Sequence, residues 1–297
     1  MYLGTREKFD YLECDSCGCL QLLNIPADMS QYYPKDYFTF HQKIEGKLKS
    51  FLNCQRDKAS MGENTFLGDL LLKIFGTPTY IEKLKTAKVS FSDSILDVGC
   101  GKGILLHRMK ESGFKNVIGI DPYLDRNIRY KNGLTVLKKT LDEINGSFDF
   151  IMFNHSFEHM ENPLHILERT NKLLNPERYV LLRIPVSDSY AWKKYGTYWC
   201  SIDAPRHFYL HTKKSIAFLA HKSGFEIVKI TYDSRSWQFW GSEQYARDIS
   251  LLDENSYFVN PGKSVFTKKD IEGFEKKTRQ LNLTGEGDQA EFYLKKV

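Results

Sequence analysis

The sequence predicts a doubly wound α/β domain on a mostly parallel sheet, and three observations predict it. From Ser94 onward, short apolar runs alternate with segments of helical periodicity, the texture of repeated strand–helix–strand units. The first run, SILDVGCGKGILL (residues 94–106), carries three glycines at alternate positions just before a helical pattern. The last eleven residues, GDQAEFYLKKV, read as a strand. Paired with the run at 225–233, that strand ends the sheet in an antiparallel hairpin and makes residues 234–286 an insertion.

Residues 1–50 form an aromatic and cysteine-bearing segment, loop-like through residue 45, with turn signals at Pro26 and Pro34. Residues 51–90 are a helical lead-in, with Leu67, Leu71, Leu72 and Phe75 at helical spacing until Gly76 and Pro78 interrupt it. The core then occupies 91–233 and 287–297. Its predicted strands are 95–99, 117–121, 135–139, 148–154, 179–185 and 225–233, with helices over about 103–112, 163–174 and 213–223. Right-handed crossovers bring the ends of the parallel strands, and any ligand, to one edge. Residues 234–286 are an insertion or cap.

The chain has 297 residues, 41% hydrophobic and 27% charged, and its net charge of +5 is interspersed. No basic stripe stands out, so DNA is not an expected partner. The longest apolar stretch, FLGDLLLKIF, is broken by Gly68, Asp69 and Lys73 and falls short of the roughly 20 residues a membrane span needs. The start, MYLGTREKFDYLEC, lacks an apolar leader pattern, and a cytoplasmic location is the expectation.

Glycine suits the 99–103 loop because it permits positive φ and lets a ligand approach the backbone. A dinucleotide fold would space its glycines G-x-G-x-x-G. Here the spacing is G-x-G-x-G, with Ile at 104, which tightens the loop and leaves less room for a diphosphate. Taken alone, Gly99 and Gly101 also suit a tight turn, and Asp121 a helix cap. Taken together, Asp97–Gly103 (DVGCGKG), Asp121 in VIGIDPY and FDFIMFNHSFEHMENP at the end of strand four resemble the class I S-adenosylmethionine-dependent methyltransferases. The resemblance covers about residues 90–233 and includes sugar C- and O-methyltransferases and ubiquinone-type O-methyltransferases.

That resemblance implies a class I methyltransferase fold, a doubly wound, seven-stranded, mostly parallel sheet with a reversed last strand. It implies S-adenosylmethionine as cofactor, with S-adenosylhomocysteine as product. The implied cofactor residues are Asp97, Gly99, Gly101, Gly103, Asp121, Pro122, Asn154 and His155, with Asp121 accepting from the ribose hydroxyls and Asp97 ordering the loop. In the family a residue after strand three meets the adenine; in KKTLDEI that position falls to Leu141 or Asp142.

Methyl transfer to a hydroxyl or carbon acid needs the acceptor aligned and a proton removed. Two clusters after strands four and five carry suitable groups: His155, Glu158 and His159, and the segment YWCSIDAPRHF. The second resembles the region bearing the catalytic histidine in methyltransferases of nucleotide-linked deoxysugars, which makes His207 the expected base. Those enzymes have Glu before the histidine where this chain has Arg206. A neighbouring Arg lowers a histidine's pKa, and Asp203 offsets it. Catalytic candidates are therefore His207, Asp203 and His159, with Glu158-His159 read chiefly as a cap for the helix after Pro163. Tyr32, Tyr33 and Tyr37 are candidates to lie over the sulfonium through cation–π attraction. Trp237, Gln238 and Trp240 suit a flat acceptor or a packed cap.

Cys14, Cys17 and Cys19 resemble one knuckle of the zinc module of sugar C-methyltransferases, but no second CxxC exists here. The expectation is no bound metal, with two lesser readings: a partial zinc site at those three thiols, and a divalent ion at Glu158-His159, implied by the resemblance to ubiquinone-type O-methyltransferases. The expected function is methyl transfer to a small-molecule acceptor, a sugar or glycan hydroxyl or carbon. The alternatives are an RNA or protein methyltransferase and a non-catalytic S-adenosylmethionine-binding partner.

Overall fold

The structure is a computed structural model and describes residues 4–33, 44–63 and 65–297. Pro34 and Tyr37 lie outside the described residues. Strands β1 (Tyr11–Glu13) and β2 (Leu20–Leu22) open the chain, followed by helices α1 (Lys47–Ser60), α2 (Phe66–Phe75) and α3 (Thr79–Thr86). The core then runs β3 (Ser94–Val98), α4 (Ile104–Glu111), β4 (Asn116–Ile120), β5 (Ile128–Arg129), β6 (Thr135–Leu137), β7 (Phe148–Asn154), α5 (Pro163–Leu173) and β8 (Leu174–Pro185). Next come α6 (Tyr190–Tyr195), β9 (Tyr209–Leu210), α7 (Lys213–Lys222), β10 (Phe225–Tyr232), α8 (Trp237–Ala246), α9 (Lys268–Thr284) and β11 (Gln289–Lys296).

The main sheet has the order β10-β11-β8-β7-β3-β4-β6-β5. Strands β8, β7, β3, β4 and β6 are parallel neighbours, while β11 runs antiparallel between β8 and β10. The reversed last strand is therefore present, with 234–286 looping out between β10 and β11. The strand count is eight rather than seven, because the two-residue β5 adds an antiparallel edge to β6. No apolar run marks so short a strand.

Both faces of the sheet are covered, and the β3 sequence shows why. Ile95 and Leu96 point to opposite faces and are both fully buried, one in the cluster with α3 and α4, the other in the cluster with α5 and α7. The α5 helix starts on Pro163, and the Asn162 side chain caps it by accepting from His165 N at 3.2 Å. The expected cap from Glu158-His159 is thus corrected: Glu158 is fully buried elsewhere. Thr212 and Ser215 form a capping box on α7, and Thr267 and Asp270 one on α9.

The N-terminal segment is not loop-like throughout. Its strands β1 and β2 pair with each other, and β2 pairs with β9 through Leu20 and Leu210. Three-residue strands lack the length for a visible alternation, so the sequence hid them. This small sheet clamps the segment holding His207: Leu22 N donates to Phe208 O at 2.8 Å, and Tyr11 OH donates to His207 O at 2.8 Å. The inserted α8 and α9 pack with Trp199, Cys200 and Leu251 as a separate apolar cluster. No helix among the described residues is long and apolar enough to cross a membrane.

Candidate active site at the C-terminal edge of β3, β4 and β7

Strand β3 lies between β4 and β7, where the chain reverses the direction in which it adds strands, and such a switch point opens a crevice at the strand ends. The glycine loop fills one side of it. Gly99 has φ 74°, and a Cβ there would lie 2.3 Å from the Ser156 Cβ; Gly103 has φ 72°, and a Cβ there would lie 2.6 Å from Val136 Cγ2. Both positions therefore need glycine for conformation and for space. The loop is pinned to β4: Gly99 N donates to Ile120 O at 2.8 Å, and Gly101 N donates to Asp121 Oδ2 at 2.9 Å.

Asp121 ends β4 as expected. Its second oxygen accepts from Tyr123 N at 2.9 Å, so the carboxylate fastens the glycine loop to the next turn. Burial raises its pKa, against these N–H donors. Pro122, beside it, is exposed. Asp97 is buried, and burial, reinforced by Asp121, pushes its carboxyl up to about 8 despite the opposing influence of Asn154. Its Oδ1 and the Asn154 Nδ2, on adjacent strands, are both buried without a hydrogen-bond partner. The Asn154 side chain nonetheless lowers the Asp97 pKa, so the two groups interact across the strands.

A carboxyl whose folded pKa exceeds its unfolded one is most stabilising below the unfolded value and loses that contribution as pH rises. For Asp97 the window runs from the ordinary aspartate value of 3.8 to about 8. The ligand-free Asp97→Asn variant should therefore melt higher than the parent at pH 8, and the difference should vanish near pH 4. Parallel melting curves at all pH values would show that Asp97 titrates normally.

Of the two adenine candidates, Leu141 is buried in the core, while the exposed Asp142 holds His165 Nε2 at 2.9 Å.

Across the crevice, Ser156 Oγ donates to Val98 O at 2.5 Å and ties the end of β3 to the turn after β7. That turn carries His155, Glu158 and His159. His155 takes φ 52°, its Nε2 meets Arg183 Nη1, and its Nδ1 stands 3.5 Å from Glu158 Oε1. Its side chain thus joins this network at the strand end where the sequence places the cofactor.

Glu158 is fully buried, and both its oxygens lack a hydrogen-bond partner. Burial pushes its pKa up, but His155, His159 and His207 more than offset that and hold it down to about 2. His159 has Nδ1 on Arg206 O at 2.7 Å, and His207 has Nδ1 on Ser201 O at 2.8 Å. Since a carbonyl only accepts, Nδ1 carries a proton in both rings. The rings lie 4.8 Å apart, and His207 Nε2 is 3.9 Å from Glu158 Oε1. Among the described residues, Glu158, His159 and His207 are the one group of three or more His, Cys, Asp or Glu side chains whose ligand atoms lie within 4.8 Å of one another.

His207 is depressed to about 4, first by burial and then by His159, with Asp203 and Glu158 opposing. The sequence attributed such a shift to Arg206, but Arg206 is buried in an ion pair with Asp203 and contributes least. Asp203 Oδ2 also lies 3.8 Å from His207 Nε2.

Tyr33 bridges the two sides. It stacks on Tyr123 at 5.2 Å and 18°, and meets the His159 ring edgewise at 6.4 Å. Tyr32 is instead buried, packing on Phe9 and donating to Glu7 Oε2 at 2.9 Å. Of the two readings of the insertion, the packed cap is the one its contacts fit. Gln238 is fully buried, and Trp237 packs on Trp240 at 4.6 Å, so these side chains hold the cap together. Cys14 and Cys17 sit in a knuckle turn, with Cys17 N donating to Cys14 O at 3.2 Å. The Cys19 thiol lies 3.7 Å from His211 Nδ1, and burial pushes it up to about 12. The three thiols do not converge as a metal-ligand group among the described residues.

Strand order, glycine loop and Asp121 together are those of a class I S-adenosylmethionine-dependent methyltransferase. A family model described as a methyltransferase domain matches residues 56–230, and the chain belongs to that family. The chain is 34% identical over 119 residues to a mitochondrial ubiquinone biosynthesis O-methyltransferase of Saccharomyces cerevisiae, covering 33% of this chain and 36% of that one. It is 27% identical over 182 residues to a ubiquinone biosynthesis O-methyltransferase of Roseobacter denitrificans, covering 53% and 69%. Among solved structures, the cyclopropane synthase MmaA2 of Mycobacterium tuberculosis aligns over 86% of this chain and 100% of that one, at 15% identity and TM-score 0.47.

Proposed function

We propose that this protein transfers the methyl group of S-adenosylmethionine to a hydroxyl on a ring-bearing small molecule. The observation that carries the reading is the pairing of a pinned glycine loop and Asp121 with the Glu158, His159 and His207 cluster, joined through Ser156. The cofactor fits the chain's own groups. Asp121 offers its remaining lone pairs to ribose hydroxyls, the glycine backbone admits the methionine part, and the open Asp97 oxygen and Asn154 amide suit its ammonium and carboxylate. When bound, the sulfonium supplies an electrophilic methyl. The protein then holds the acceptor oxygen in line and disposes of its proton at the histidine–glutamate cluster. Tyr33 excludes water between the two halves.

Sugars and phenols both fit a hydroxyl acceptor on a ring. The sequence motif around His207 supports a sugar, and the two curated relatives, by their printed names, act in ubiquinone biosynthesis. A carbon acceptor has less support, because none of the clustered groups is a strong base. Incubation with methyl-labelled S-adenosylmethionine and fractionated cell extract tests the proposal, with Asp121→Ala as control. Label is expected in small molecules or glycans and absent with the variant. Label in RNA or protein would replace this reading, and no label in any fraction would favour a non-catalytic binder.

A further inference from the structure

Helix α2, FLGDLLLKIF, is apolar on two sides, and one of them is open. Its inner side meets α1 across Gly68, where a Cβ would lie 2.3 Å from Gln55 O and 2.9 Å from Ala59 Cβ. Leu71 and Leu72 share that side and are half-buried. With about 3.6 residues per turn, Phe66, Leu70 and Ile74 fall on the opposite side. They are 91%, 47% and 62% exposed, and Phe75 at the helix end is 64% exposed. A helix that is apolar all round belongs in an interior, and a cluster of exposed apolar side chains marks an interaction surface.

From this geometry we infer that α2 is a docking surface for a second copy of this chain, paired antiparallel across a two-fold axis. Charge complementarity selects that partner. Asp69 and Lys73, both exposed, lie together on one flank of the Phe66–Leu70–Ile74 stripe. A two-fold that sets the helices antiparallel keeps this flank on the same side of both copies, and each Asp69 then faces the partner's Lys73. A parallel pair would put the two flanks on opposite sides, with no such match. A lipid surface suits the stripe less, because helices that lie on membranes carry cations around the apolar face, whereas a carboxylate shares this flank.

The area agrees. Aromatic and aliphatic side chains at these exposures present on the order of 500 Å2 of apolar surface per chain, so two copies bury about 1,000 Å2, the size at which an interface becomes specific. The adjoining α1 exposes Leu48 and Phe51 as well. The surface is firmly mounted on the core, since Asp57 on α1 accepts from Arg108 Nη2 on α4 at 2.6 Å. The pairing does not depend on methyl transfer.

Sedimentation velocity on the full chain tests the pairing. The parent is expected to form dimers at about 10 µM, and Leu70→Glu to weaken dimerisation at least about a hundredfold, since each substitution counts twice across the two-fold. Asp69→Lys and Lys73→Asp should each weaken it at least about tenfold, by setting like charges against each other. Mixed in equal amounts, those two variants should pair with each other as the parent pairs with itself. The two charge variants, at exposed positions, keep the test decisive if Leu70→Glu does not fold. A parent that stays monomeric to about 100 µM overturns the inference, as does dimerisation undiminished by Leu70→Glu or by both charge variants. A monomeric parent that binds phosphatidylglycerol vesicles, and loses them in Leu70→Glu, would replace the second copy with a lipid surface.

Discussion

Asp121→Ala is expected to lose at least about a hundredfold in affinity for S-adenosylhomocysteine, measured by calorimetry. Two backbone N–H groups, those of Gly101 and Tyr123, donate to this carboxylate at 2.9 Å each. Hydrogen bonds to a charged acceptor contribute about 1.5–3 kcal/mol apiece, and about 1.4 kcal/mol is tenfold in binding. The substitution removes the loop's anchor and the ribose acceptor together, and it strands two donors beside an apolar methyl. Asp121→Asn should lose nearly as much, because its amide nitrogen would face at least one N–H donor. Affinity within threefold of the parent in either variant would remove Asp121 from the cofactor site.

A larger effect on stability is expected at Asp57→Ala, far along the chain from the glycine loop. Asp57 is fully buried. Its Oδ2 accepts from Tyr80 OH at 2.6 Å, Arg108 Nε at 2.8 Å and Ser112 Oγ at 2.8 Å, and its Oδ1 from Arg108 Nη2 at 2.6 Å. One carboxylate on α1 thus fastens α3, through Tyr80, to α4 and its C-cap, through Arg108 and Ser112, and α4 is the helix that follows the glycine loop. Removing one partner of a buried pair costs about 3–5 kcal/mol, because the other charge is left uncompensated. For a chain of this size that lowers the melting temperature by on the order of 10 °C. Well below its own transition, the variant should still bind S-adenosylhomocysteine close to normally. A melting shift under about 2 °C would mean that Arg108 finds other partners.

The parts of the site that were legible before the structure are those whose chemistry is local. Gly99, Gly101, Gly103 and Asp121 were readable because a tight loop and a strand-end carboxylate leave their mark within a few residues. The reversed β11 was readable because its apolar run stands near the chain's end and has one matching edge. What stayed hidden depends on distance along the chain. Nothing near Asp57 announces that a charge in a helical segment will be buried under Tyr80 and Arg108. Glu158 looked like a cap because Pro163 follows it, yet Asn162 supplies the cap and Glu158 turns inward to the histidines. The lowered pKa of His207 was anticipated, but for the wrong reason: Arg206 spends its charge on Asp203, and burial does the rest. Trp237 and Gln238 had the composition of a binding platform; only packing shows that they close the cap on itself.

The crevice between β3 and β4 is expected to hold S-adenosylmethionine and not a dinucleotide. A calorimetric titration of the parent protein with S-adenosylhomocysteine, and in parallel with NAD, tests it most directly. The expected result is one S-adenosylhomocysteine per chain and no heat from NAD, because the glycine spacing G-x-G-x-G is one residue tighter than the G-x-G-x-x-G of a dinucleotide loop. Binding of NAD without binding of S-adenosylhomocysteine would show that the crevice is a dinucleotide site and that the protein is not a methyltransferase.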